Sequence, residues 1–140
     1  MSRQFSIALA IWIKSVMFNG FISSFLLSVT QGPSEFLVGI LIIILGFILT
    51  APLLTIITPA VKASIRLPYT SLASKAWLAF LLMVIAFLFL LAFCFVFDIR
   101  ILKEFDSIII GTLFSVLLAT LSVSKSIDNY KKETDANNLV

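Results

Sequence analysis

One uncharged stretch, residues 76–97, constrains the fold of this chain more than any other feature. It contains 22 consecutive residues without a charge and six phenylalanines that would point to all sides of a helix. At ~1.5 Å per residue the helix would measure roughly 33 Å, close to the roughly 30 Å of hydrocarbon in a bilayer. A soluble helix keeps a polar stripe, and this segment has none. We therefore expect residues 76–97 to cross a membrane.

Three other stretches are long and largely apolar, although the first of them contains Lys14 and is the most polar. The sequence therefore predicts four membrane spans, at about residues 8–29, 36–57, 76–97 and 107–124. The chain is 61% hydrophobic and 12% charged, with a mean hydropathy of +1.16, which is far from an ordinary soluble domain. We expect an all-α polytopic membrane protein with a four-helix domain over residues 1–124. Residues 125–140 are predicted to form a polar cytoplasmic tail that buries no apolar surface and is mobile beyond about Tyr130.

Basic residues are distributed unequally between the two ends of the predicted spans. The N-terminus, the connection 58–75 and the tail share one side, which holds Arg3, Lys62, Arg66, Lys75, Lys125, Lys131 and Lys132. The other side holds Arg100 and Lys103 together with Glu35, Asp98, Glu104 and Asp106. Because cytoplasmic loops carry the excess of lysine and arginine, both termini should be cytoplasmic. The small size and the absence of sorting signals favour a bacterial inner membrane.

The connection 58–75 is expected to lie on the membrane surface. Lys62 and Arg66 are four residues apart, and Lys75 follows without an acid among them. These basic side chains suit anionic lipid headgroups. We therefore expect the bilayer and its anionic headgroups to be partners of this chain. Basic residues scattered among apolar spans do not form a nucleic-acid surface, so no nucleic-acid partner is expected.

The residue inventory also argues against catalysis. Histidine is absent, Cys94 is the sole cysteine, and no predicted span carries an acid away from its ends. The chain therefore lacks the commonest general base and the usual metal-binding patterns at membrane depth. We expect no enzyme activity, no cofactor and no metal.

Small residues recur at helical spacing on three spans, a pattern typical of close helix packing in membranes. The first span carries Gly20, Ser24 and Ser28, and the second carries Gly39 and Gly46. The fourth span has the most regular pattern, formed by Gly111, Ser115 and Ala119. The partner of this face is either the first span or another copy of the chain.

Two features of the first two spans leave alternatives open. Lys14 either snorkels to the membrane face, which we favour, or lies at depth, where with Asn19 it would bind a substrate. In the second span Pro52 removes a backbone donor and Pro59 continues the predicted break, so a kink or an early helix end is expected there.

Two functional hypotheses follow from these patterns. The first is a protein that acts by helix–helix contact with another membrane protein or with itself, as an accessory subunit, an assembly factor or an immunity-type factor of a membrane complex. The alternative is a small transporter that works as a homodimer, with Lys14 as the substrate-binding charge. The contact hypothesis ranks first because it needs no residue that the sequence lacks.

Overall fold

A computed structural model describes residues 2–32, 36–66, 70–97 and 105–137. These ranges fold into helices and contain no strand: α1 (Arg3–Gln31), α2 (Phe36–Thr50), α3 (Leu54–Arg66), α4 (Ser71–Phe97), α5 (Phe105–Ser122) and α6 (Ser124–Asn137). A 3₁₀ turn, Ala51–Leu53, joins α2 to α3. For some residues named above the structure describes neither backbone nor side chain: Glu35, Asp98, Arg100, Lys103 and Glu104. For others it describes the backbone alone: Gly39, Cys94 and Asp106.

The expectation of an all-helical chain with apolar membrane-length helices is confirmed. Within the described ranges three stretches are long and apolar enough to cross a membrane: Arg3–Val29, Ile43–Arg66 and Ser71–Ala92. A fourth is added if the bent pair Ile109–Ser122 and Ser124–Ala136, whose axes differ by 55°, is counted as one span.

The first helix is the centre of the bundle. It packs along α5, α2 and α3, whereas α4 packs against α5 and α3. The shared core lies where α1, α3, α4, α5 and α6 meet, and its most deeply buried members come from all five helices: Ala8, Ile11, Val61, Ile65, Leu78, Ala119 and Ile127. Removing such side chains from solvent stabilises the packed state by about 1.5–3 kcal/mol for each large aliphatic residue in water, and by less where lipid is the alternative.

The two prolines of the second span have different effects. Pro52 lies in the 3₁₀ turn, where the chain departs from regular α-helix as expected of a residue without an N–H. Pro59, however, lies inside α3, and the helix continues past it to Arg66. The predicted break at Pro59 is therefore wrong. Hydroxyls of nearby residues bond to backbone carbonyls here, with Thr55 Oγ1 donating to the Pro52 carbonyl and Thr58 Oγ1 to the Leu54 carbonyl.

The third helix is amphipathic and packs on protein with its apolar face. Val61 and Ile65 are fully buried in the shared core, while Lys62 and Arg66 are exposed. The first part of the connection predicted to lie on the membrane surface is thus the end of a 13-residue helix that packs on the bundle.

The polar C-terminal segment differs most from expectation. Residues 124–137 form α6, which contacts α3, α4, α1 and α5. Ile127 has 1% of its surface exposed and Lys131 7%, so the segment does bury side chains. A composition of mostly polar residues concealed the short apolar face that Ile127 and Tyr130 provide, three residues apart.

A close helix contact joins α1 to α5 at Gly111. A Cβ atom at this position would lie 2.5 Å from Ser23 Oγ and 3.1 Å from Asn19 Oδ1, both on α1. Ser115 and Ala119, one and two turns further along α5, are fully buried. The small-residue face of α5 is therefore in contact with α1 and is not available to a second chain.

This contact predicts a coupled pair of mutations. Gly111→Ala should lower the free energy of unfolding in detergent by about 1–3 kcal/mol, because the new methyl group overlaps Ser23 Oγ. Adding Ser23→Ala removes that atom. The loss of unfolding free energy in the double variant should therefore be smaller, by roughly 0.5–3 kcal/mol, than the sum of the losses in the two single variants. The comparison variant Phe114→Leu changes an exposed residue of the same helix and should have little effect. Additive single-variant effects would contradict the contact.

Candidate functional site

A cavity of about 90 Å³ lies inside the bundle, beside the central helix. Its walls come from α1, α2, the 3₁₀ turn, α3, α4 and α5. Apolar side chains such as Ile11, Leu82 and Val116 provide most of the surface. Polar groups reach it from three helices: Ser15 and Asn19 of α1, Thr50 of α2 and Thr112 of α5. The described residues that line the cavity include no charged side chain.

The cavity exists because α2 is attached to the bundle on one side. Within the described ranges α2 packs on α1 and makes no comparable contact with α4 or α5. Its continuation α3 does pack on α4, so the space between α2 and α4 is closed at the α3 end. Gly46 brings the backbone of α2 close to α1, since a Cβ atom at this position would lie only 3.0 Å from Val16 Cγ1.

Trp12 and Thr50 form the polar part of the α1–α2 contact. The indole Nε1 donates to Thr50 Oγ1 over 2.9 Å, and Thr50 Oγ1 donates to the Gly46 carbonyl over 2.5 Å. The Trp12 ring also meets Phe47 edge-on, with 5.2 Å between ring centroids. The structure thus places Trp12 between two helices and on the cavity wall.

Asn19 links the cavity to the α1–α5 contact. Its Oδ1 accepts a hydrogen bond of 2.9 Å from Ser23 Oγ, one turn away on the side that meets Gly111. Its two amide N–H donors have no acceptor among the described residues. Ser15, one turn earlier on the same face, likewise has no hydrogen-bond partner there. Asn19, predicted as a binding residue, is therefore on the wall of this cavity.

Lys14, the other predicted binding residue, lies elsewhere. It is five residues from Asn19, which places the two side chains about 140° apart around the helix. Lys14 shares its face with Phe21 and Phe25, whose side chains are 55% and 66% exposed. Within the described ranges it makes no ion pair or hydrogen bond and does not line the cavity. The structure therefore does not bring Lys14 and Asn19 together in one site.

The remaining small residues of α1 have local partners. Gly20 and Ser24 are buried, and Ser24 Oγ donates to the Gly20 carbonyl over 2.6 Å. Ser28 Oγ donates to the Phe25 carbonyl over 2.9 Å. These hydroxyls form their hydrogen bonds within their own helix. This face of α1 therefore carries only small side chains, as close packing requires.

A second polar region, here named the polar clip, holds α6 on the bundle. Lys75 Nζ donates to Asp128 Oδ2 over 2.7 Å, and Ser71 Oγ donates to the other oxygen of that carboxylate. Three further pairs complete the clip: Lys131 Nζ with Ser74 Oγ at 2.8 Å, Gln4 with Tyr130, and Arg3 with Glu133. The clip joins the starts of α1 and α4 to α6.

The polar clip changes the role predicted for Lys75. Its side chain is 19% exposed and pairs with Asp128, so it acts within the protein and not as a free surface charge. The Lys75 ammonium and the Ser71 hydroxyl, both donating to the carboxylate, hold the pKa of Asp128 below its usual range. Lys62 and Arg66, predicted alongside Lys75, remain exposed.

Comparisons with known proteins add no functional information. No protein-family model, curated protein or solved structure matches the chain. Within the described ranges no three metal-ligating side chains come together. The fold and the site define an all-helical protein with membrane-length apolar helices, a small and mostly apolar cavity that a few polar side chains reach, and a charged clip at one end.

The clip predicts a pH-dependent stability. Because the pKa of Asp128 is lower in the folded protein than in the unfolded chain, its contribution is complete above the ordinary carboxyl pKa of about 3.9. The contribution is lost as the pH falls through the lowered, folded-state pKa. Asp128→Asn should therefore lower stability at neutral pH by about 1 kcal/mol, the scale of a partly exposed ion pair, and should match the original protein in strong acid.

Thermal unfolding in detergent from neutral to acidic pH measures this difference. Asp135→Asn is the matched control, because Asp135 is exposed on the same helix and forms no ion pair among the described residues. Equal effects of the two substitutions at neutral pH would contradict the clip.

Proposed function

We propose that the protein is an integral membrane protein with four spans, formed by α1, the run α2–α3, α4 and α5. Large apolar side chains cover the outside of the bundle, among them Phe25, Ile48, Leu72, Phe80, Leu88, Phe95, Phe114 and Leu121. Water-soluble monomers rarely expose so much contiguous apolar surface, whereas lipid accommodates it. With 18 residues, α5 measures about 27 Å, close to the hydrocarbon thickness.

We further propose that the end of the bundle carrying the polar clip faces the cytoplasm of a bacterial cell. Exposed basic residues from α3 and α6 cluster at this end: Lys62, Arg66, Lys125 and Lys132. None of the four has an ion-pair partner among the described residues, so their charge is available to anionic headgroups. The positive-inside tendency then supports cytoplasmic termini.

Cysteine labelling tests this orientation. In a Cys94→Ala background, Lys103→Cys should react with a membrane-impermeant maleimide on intact bacterial cells. Lys132→Cys should react only after the inner membrane is permeabilised. Labelling of Lys132→Cys but not Lys103→Cys in intact cells would reverse the proposed orientation, whereas labelling of both sites would contradict the four-span arrangement.

For its activity, we propose that the protein works by helix–helix contact as an accessory, assembly or immunity-type subunit of a membrane complex. The observation that carries the proposal is the position of α2. Its Gly46 and Thr50 edge faces α1, whereas its opposite half is a continuous aliphatic surface: Ile40, Leu41, Ile44, Leu45, Ile48 and Leu49. This surface lies on a helix that, within the described ranges, packs mainly on α1.

The structure gives the transport alternative less support than the sequence does. A homodimeric transporter with Lys14 as its binding charge needs Lys14 in a shared or internal site. Lys14 lies on the outward face of α1 with Phe21 and Phe25 and does not line the cavity, so a site shared between two copies is the one left to it. We keep the contact proposal first because it needs no such second copy.

Site-specific photo-crosslinking in native membranes tests the contact proposal. A photoreactive residue at Leu45 should give one protein adduct of defined mass in a yield that approaches stoichiometry. The same residue at Phe114, which is also exposed but lies on α5, should give no such adduct. An adduct of twice the chain mass would identify the partner as a second copy. Absence of any protein adduct at Leu45 would contradict contact through α2.

A further inference from the structure

Most hydroxyl groups inside the bundle are satisfied by their own helix. Ser64, Thr120 and Ser115 each donate to the carbonyl four residues earlier, as do Ser24 and Thr50. Ser15 and the amide nitrogen of Asn19 are exceptions among the described residues. The two are four residues apart on one face of α1, where Cβ atoms are roughly 5–6 Å apart, and both line the cavity.

The unpaired groups are accessible to a small molecule. In the described ranges no fully buried side-chain nitrogen or oxygen lacks a hydrogen-bond partner. The unpaired atoms of Ser15 and Asn19 therefore retain surface that a water-sized probe can touch. Leaving such a group without a hydrogen-bond partner in apolar surroundings is unfavourable, so an occupant that completes its hydrogen bonds is favoured.

The cavity has the room and the partners for water. One water needs roughly 10–15 Å³ of such space, and the cavity has about 90 Å³. A buried water also needs two to four polar partners. The Asn19 amide supplies donors, and the Ser15 hydroxyl supplies a donor and an acceptor. Thr50 Oγ1 keeps one lone pair after its bonds to Trp12 and Gly46.

We propose that this cavity is a hydrated polar site within the apolar part of the bundle, in which a small cluster of water molecules completes the hydrogen bonds of Ser15 and Asn19. Because no described lining residue is charged, the site takes neutral molecules of water's size and hydrogen-bonding character. The proposal does not depend on the contact function or on the membrane orientation.

Trp12 makes the proposal measurable, because its indole lines the cavity. The chain has two tryptophans, so Trp77→Phe leaves Trp12 as the sole fluorophore. In phosphatidylcholine vesicles the fluorescence lifetime of this protein should lengthen when H₂O is replaced by D₂O. Two changes should each remove most of that lengthening and shift the emission to shorter wavelength. Ser15→Ala with Asn19→Leu removes the polar groups, and Ala86→Leu fills the space.

The control protein is Trp12→Phe, in which Trp77 reports from an exposed position on α4. Its D₂O response should be the same with and without the cavity substitutions. The proposal is overturned if Trp12 shows no D₂O response, or if a response persists unchanged in correctly folded Ala86→Leu protein. Should the double variant fail to fold by circular dichroism, the original protein and Ala86→Leu still decide the question.

Discussion

The close contact of α1 with α5 is the constraint on which the rest of the bundle depends. Two helices can approach to this distance only where one of them lacks a side chain, and Gly111 supplies that gap opposite Ser23 and Asn19. Once α5 is fixed, α4 packs against it, and α3 packs against both α1 and α4. In lipid, where apolar helices gain little from leaving solvent, such shape complementarity and hydrogen bonding decide which helices associate.

The sequence predicts the long apolar helices well because helical length and apolar content are local properties. The spacing of Gly111, Ser115 and Ala119 also predicts a packing face, since period and residue size define it without reference to other helices. Its partner, however, depends on three-dimensional arrangement. A stripe of small residues is equally suitable for α1 or for a second chain, and only the structure places Ser23 and Asn19 against it.

The candidate site is less predictable for the same reason. Asn19 stands out in the sequence as a polar residue in an apolar span, but so does Lys14, and composition cannot tell which of them faces inward. Tyr130 and Ile127 illustrate the opposite difficulty. They lie in a segment whose average polarity predicts exposure, yet a spacing of three residues and the charged pairs beside them are enough to dock α6.

The two ends of the α2–α3 run are stabilised very differently, and this difference connects the cavity with the proposed contact surface. At the α3 end, buried Val61 and Ile65 join a core shared by five helices, and the polar clip covers it. Toward α2, the Trp12–Thr50 bond and the Gly46 contact hold the described part of the helix to α1. Local opening is least costly where buried contacts are fewest. Motion of α2 about the 3₁₀ turn at Pro52 would therefore change the cavity volume and the position of the aliphatic outer surface together. A partner bound to α2 and water bound beside Asn19 would then act on the same helix.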